Sequence, residues 1–229
     1  MSGVAVNLVL ILLATSDFVL LGSSRLYHYI RLTALQGVLL AALPILTAEG
    51  SPVGGHVVFL SAGTIVLKVI VFPWVLRAAI RRAGIRREIE PFVGYVPSLL
   101  FGFALLALAM WVGASMPVTP LDTANLGFAT VVLTIGTGLF LIVSRKKAVT
   151  QVLGYLVLEN GIFTFGVLYA LSQPVVVELG VMLDIFVAIF LMGIMVFHIA
   201  HDFDHIDVDR LSQLHDLDPA PSAADEAGR

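Results

Sequence analysis

The sequence predicts an all-α integral membrane protein of seven transmembrane helices, with its N-terminus outside and its C-terminus in the cytoplasm. Three observations predict it. Of 229 residues, 59% are hydrophobic and only 13% are charged, whereas soluble domains are near half apolar and a quarter charged; the mean hydropathy is +0.99. The apolar residues gather into seven runs, each long enough for the about 20 residues a span requires. The connections between the runs are alternately basic and free of Lys and Arg, which is the positive-inside pattern. The chain has no cysteine, so disulfides, thiolate zinc sites and Cys-ligated iron–sulfur clusters are excluded from it. The net charge of −3 says less than its distribution.

Span one covers about 4–22, within "MSGVAVNLVLILLATSDFVLLG". It lacks a basic n-region and a cleavage site, so it reads as a membrane helix and not a signal peptide. Arg25 and Arg31 flank the first connection, and span two follows at about 30–48. The turn-forming "AEGSPVGG" leads into span three, about 56–77, which ends in Arg77, Arg81, Arg82, Arg86 and Arg87. Span four is about 95–114, closed by "SMPVTP". Span five, about 124–143, ends at Arg145, Lys146 and Lys147. Span six is about 149–171, and after "LSQPVV" span seven runs to 199 from about 175. Gly, Pro and Ser mark the connections.

After span seven, Ile206, Leu211, Leu214 and Leu217 suggest a short amphipathic cytoplasmic helix. The last ten residues, rich in Pro, Ala, Ser and acid, read as a disordered tail. The expected organisation is a four-helix part over 1–118, a three-helix unit over 119–200 and a cytoplasmic segment over 201–229. "SSRLYHYIRLTALQG" and "VSRKKAVTQVLG" lead into spans two and six in a similar way. Two three-helix units joined by span four would explain that, and so would chance likeness between apolar helices.

Three ionisable residues fall near the bilayer centre. Glu159 lies about 15 Å along span six and Asp184 about 14 Å along span seven from the opposite side, with Lys68 at comparable depth in span three. Asp17 and Glu178 lie nearer span ends, within reach of an interface, and weigh less. A charge at the centre of a span costs roughly 3 kcal/mol on insertion scales. Neutralising a Glu of reference pKa ~4.3 at pH 7 costs roughly 3.7 kcal/mol. The two costs are equal within their uncertainty, so a neighbouring cation or a few waters decide the state of Glu159. Two readings stand at this point: a buried ion pair that only locks helices together, and a group that loads and unloads a proton. Ionisable residues inside a membrane favour the second. Small residues support close packing there: Gly180 and Ala188 share a face with Asp184, and Gly154 and Gly161 thin the face beside Glu159. Pro73 cannot donate to the carbonyl of Val69, next to Lys68.

The stretch "SRKKAVTQVLGYLVLENGIF" resembles component E of hydrogenase-4-type membrane-bound hydrogenases. The last three helices of that family are similar to the K-type subunit of respiratory complex I and to the C-type subunit of multi-subunit sodium/proton antiporters. The resemblance runs from about Asn125 to Leu214 and includes the basic loop, Gln151, Gly154, Glu159, Asn160, "ELGVMLDIFVAIFLMGIMVFHI" and "HIDVDRLSQL". It implies that Glu159 and Asp184 belong to a chain of membrane-embedded acids, Asp184 being one methylene shorter than the family's Glu. Lys68 has no counterpart in the three-helix unit and is a relay candidate from burial alone. The implied partners are antiporter-like and H-type membrane subunits and a peripheral redox arm, in a bacterial or archaeal cytoplasmic membrane.

Other polar clusters compete for attention. His198, His201 and His205 have helical ligand spacing, yet they sit where span seven leaves the membrane and polar side chains gather anyway. Pairing His198 with His28 around a haem has only depth in its favour. The arginines from Arg77 to Arg87 suit lipid head groups or an acidic partner, and a topology-setting loop explains them equally. No metal or cofactor is expected on this chain, and no enzymatic activity of the chain alone. The expected function is proton relay through Glu159, Asp184 and Lys68 in a complex I-like hydrogenase or related oxidoreductase. The alternatives are a subunit of a cation/proton antiporter and a passive scaffold.

Overall fold

The structure is a computed structural model and describes residues 2–23, 25–47, 55–82, 93–115, 124–145, 148–169 and 193. The elements formed by these residues are all helical: α1 (Ser2–Gly22), α2 (Leu26–Thr47), α3 (Gly55–Thr64), a π-helical turn (Ile65–Val71), α4 (Phe72–Arg82), α5 (Tyr95–Ala114), α6 (Ala124–Ser144) and α7 (Ala148–Tyr169). They belong to one compact unit, Met1–Leu191; in the second, Met192–Arg229, only Gly193 is described. Among the described residues, six stretches are long and apolar enough to cross a membrane: Gly3–Leu21, Leu26–Thr47, Ser61–Ala78, Tyr95–Ala114, Asn125–Ser144 and Val149–Tyr169. The third runs through α3, the π turn and α4. The fold is that of an all-helical, multi-pass membrane protein. The expected seventh span, with Glu178 and Asp184, and the cytoplasmic segment with His198, His201 and His205 lie outside the described residues.

The helices are apolar outside and polar within. Val143 is 80% exposed and Trp111 72%, while Asp17 is fully buried. In water that arrangement loses the hydrophobic contribution of the exposed side chains; in lipid it is the favourable one, since the tails are as apolar as leucine. The interior divides into three levels along the helix axes. At one end Val6, Val9, Leu10, Leu13, Leu40, Leu43 and Val167 form an apolar cluster. Polar side chains occupy the middle. At the basic end Tyr29 and Arg145 are buried against each other, the Arg145 Nη2 donating to the Tyr29 hydroxyl at 3.2 Å.

Local chemistry explains how the elements begin and approach. α2 starts earlier than its apolar run because the Tyr29 hydroxyl reaches back to the carbonyls of Leu20 (2.8 Å) and Ser23 (3.1 Å), tying it to the end of α1. The end of α6 is held by Gln151, whose Nε2 donates to the Arg145 carbonyl at 3.1 Å. Arg145, read from the sequence as a loop charge, is only 1% exposed. On α5 the buried positions are Ser98, Gly102, Ala109 and Gly113, a small-residue face that lets neighbouring helices close in.

In the third span the helical register changes before Pro73. Phe72 donates its backbone N–H to the Leu67 carbonyl, five residues back, and closes a π-helical turn from Ile65 to Val71. Pro73 follows with no N–H to give, so the widened register ends at the proline. π turns of this kind inside α-helices are frequent at functional sites, and this one carries Lys68.

Candidate functional site

Polar side chains from five helical elements meet in the middle level. The Lys68 Nζ donates to Glu159 Oε1 at 2.6 Å and to Asn160 Oδ1 at 2.9 Å. Asn160 Nδ2 donates to Gln36 Oε1 at 2.9 Å. Gln36 Nε2 donates to Ser16 Oγ and Asp17 Oδ1, both at 2.8 Å. The Thr134 hydroxyl lies 2.6 Å from Asp17 Oδ2 and 2.8 Å from the Thr130 carbonyl. The chain therefore runs from α7 through the π turn and back to α7, then to α2, α1 and α6. Every member is buried.

Backbone fit makes these contacts reachable. Gly37, beside Gln36, faces the Lys68 backbone so closely that a Cβ there would lie 2.8 Å from Lys68 Cβ. α6 and α7 cross just as tightly. A Cβ on Gly154 would meet the Ile142 nitrogen at 2.9 Å, and one on Gly161 the Ile135 nitrogen at 2.8 Å. The sequence reading of these two glycines as a thinned face beside Glu159 describes this crossing.

The ends of the network dictate the direction of its amides. An ammonium only donates, so Asn160 must turn its oxygen to Lys68. Its NH₂ then faces Gln36, whose own NH₂ faces Asp17. Both amide dipoles thus point their negative ends to the cation and their positive ends to the carboxyl. Two carboxyls and one ammonium are linked by groups that are polarised in a single sense. The ring of Phe163, with its centroid 5.6 Å from Lys68 Nζ, adds a cation–π contact within the usual reach.

Of the residues expected from sequence to act in a relay, the structure brings Lys68 and Glu159 into direct contact, with side-chain exposures of 4% and 3%. Asp184 lies outside the described residues. Asp17 was discounted and belongs to the network. It lies five residues before the end of α1, or ~8 Å, which suggested an interfacial position. Yet it touches Thr134, ten residues from each end of α6, so it sits at mid-depth. Gln36, Ser16 and Thr134 are uncharged, so ionisable side chains in the spans do not point to them. A polar residue of any kind inside an apolar run was the available signal.

Fold and site together define a multi-pass membrane protein with an internal ion pair. The chain is 33% identical over 196 residues to the uncharacterized protein Rv0085 of Mycobacterium tuberculosis, a match covering 82% of this chain and 85% of that protein. The chain belongs to the same family as this mycobacterial protein. No family model matches the chain, and no solved structure matches it.

Proposed function

We propose that the protein is a proton-relay subunit in the membrane arm of a complex I-like, ion-translocating hydrogenase or related oxidoreductase. The observation that carries this reading is the Lys68–Glu159 contact of 2.6 Å at mid-membrane. An ammonium beside Glu159 stabilises its carboxylate. When Lys68 withdraws, the buried carboxylate takes up a proton, and when Lys68 returns the proton is released. Asn160, which already accepts a hydrogen bond from Lys68, gives the ammonium a second ligand during such a displacement. The resemblance to hydrogenase-4 component E supplies the setting, and redox energy from partner subunits supplies the drive.

Glu159→Gln should leave the complex assembled and abolish most coupled ion translocation in membrane vesicles. Wild-type translocation by an assembled variant removes Glu159 from the relay. Purification in mild detergent followed by mass spectrometry tests the setting: nickel–iron and iron–sulfur subunits support it, and antiporter subunits alone replace it with a cation/proton antiporter.

The proposed arrangement has seven spans with the basic connections in the cytoplasm. Because the chain lacks cysteine, single introduced thiols report side unambiguously. Arg81→Cys should react with an impermeant maleimide only from the cytoplasmic side, and Ser115→Cys only from the outside. The opposite labelling inverts the topology.

A further inference from the structure

Asp17 is fully buried, and both of its oxygens are engaged by neutral groups, Gln36 on Oδ1 and Thr134 on Oδ2. No salt bridge to it is found among the described residues, where Lys68 pairs with Glu159. Among the described residues, the elements packed most closely on α1 are α2, α5 and α6. Neither α5 nor α6 contains a charged residue, and Tyr95, at the start of α5, is their one titratable group. α2 offers Tyr27, His28, Tyr29 and Arg31 near its start, of which only Tyr29 is buried. The nearest cation in the network is Lys68, two amides away, and Glu159 already holds it.

Of the two carboxyls in the network, Glu159 lies against the Lys68 ammonium, whereas Asp17 meets neutral partners among the described residues. An uncompensated charge inside a membrane is expensive, and a proton on Asp17 removes it.

The hydrogen bonds around Asp17 accept either state. A hydroxyl has one proton and accepting capacity besides. When Asp17 is ionised, Thr134 donates to Oδ2. When Asp17 is protonated, its new O–H donates to the Thr134 Oγ1, and Thr134 turns its own proton to the Thr130 carbonyl, already 2.8 Å away. Gln36 donates to Oδ1 throughout. Ser16 keeps its bond to the Leu13 carbonyl at 2.6 Å while accepting from Gln36. No heavy atom has to move.

We propose that Asp17 is a second proton-binding site of this network, taking a proton from water onto Oδ2 and returning it to water, with the Thr134 hydroxyl rotating to match. This rests on the reading of the protein as a proton-relay subunit, but its test needs no translocation. Infrared difference spectra of the purified protein in nanodiscs, recorded against pH, should contain a carboxylic C=O band that titrates. Asp17→Asn should abolish it. That variant can keep the native bonds, its Oδ1 accepting from Gln36 and its Nδ2 donating to Thr134, so it folds. Thr134→Val should keep the band and shift its frequency, because the O–H loses its acceptor. A wild-type spectrum without a titrating carboxyl band, or one unchanged in Asp17→Asn, overturns the assignment. A Glu159 variant that fails to impair translocation bears on the relay and leaves this band untouched.

Discussion

Replacing either partner of the Lys68–Glu159 pair alone should destabilise the protein by about 3–5 kcal/mol, and replacing both should cost much less than the sum. The reason is what each single change leaves behind. Glu159→Gln leaves a buried ammonium facing two amides. Lys68→Met leaves a buried carboxylate and an Asn160 oxygen whose donor is gone. The pair is 4% and 3% exposed, so water cannot replace the missing partner without opening the helix packing. Lys68→Met with Glu159→Gln removes both charges together. Reversible unfolding in detergent across the four members of this cycle measures the coupling directly. Strictly additive losses mean that the contact contributes nothing specific. The same four proteins separate relay from scaffold. If the pair is only an adhesive, the double variant recovers translocation along with stability. If it relays protons, the double variant assembles and stays inactive.

Much of the fold was legible because a bilayer imposes simple rules. Span lengths and alternating basic loops locate six helices that the structure places within a few residues of the expected bounds. The site was half legible. Depth along a helix can be counted from sequence, and it singled out both Lys68 and Glu159. Their contact could not be counted, since they are 91 residues apart and nothing local says which helix faces π turn or which azimuth each side chain takes. Asp17 shows the weakness of depth counting. Its distance from the end of α1 was right, and the inference of an interfacial position was wrong, because neighbouring helices do not end at the same level. Arg145 shows a related failure: a basic residue at a span end reads as solvent-facing, while here it turns inward to Tyr29. Pro73 signalled a disturbance in span three, but the π turn before it depends on the backbone register and not on composition.

The neutral members of the network also matter for specificity. Gln36 and Asn160 hold Asp17 and Lys68 in fixed mutual orientation, and each has its polar atoms matched in sense to its neighbours. Their amides do not exchange protons as carboxyls do, so the path between Asp17 and Glu159 is electrostatic along this line of bonds. A change of charge at one acid is felt at Lys68 through two aligned dipoles in a medium of low dielectric. This couples the acids while keeping their protons separate.

Gly138→Ala should be among the most damaging single-methyl additions in the protein. A Cβ at that position would fall 2.6 Å from both Cα and Cβ of Leu158 and against the Leu158 backbone nitrogen as well. The obstacle is backbone, so no side-chain rotation relieves it, and α6 must part from α7. Overpacking typically costs 1–3 kcal/mol, more when the surroundings cannot adjust, and loss at about the upper end of that range is expected. The effect reaches the site because Leu158 precedes Glu159: moving α7 draws Glu159 from Lys68 and Asn160 from Gln36. Gly63→Ala is the matched control. Nothing lies within 4 Å of its new methyl group, and alanine is the better helix former, so stability should hold or rise slightly. Thermal unfolding in detergent, read by the loss of the monodisperse species, compares the two. A Gly138→Ala protein as stable as Gly63→Ala would mean that α6 and α7 cross less closely than the structure has them, and the position of Glu159 would have to be drawn again.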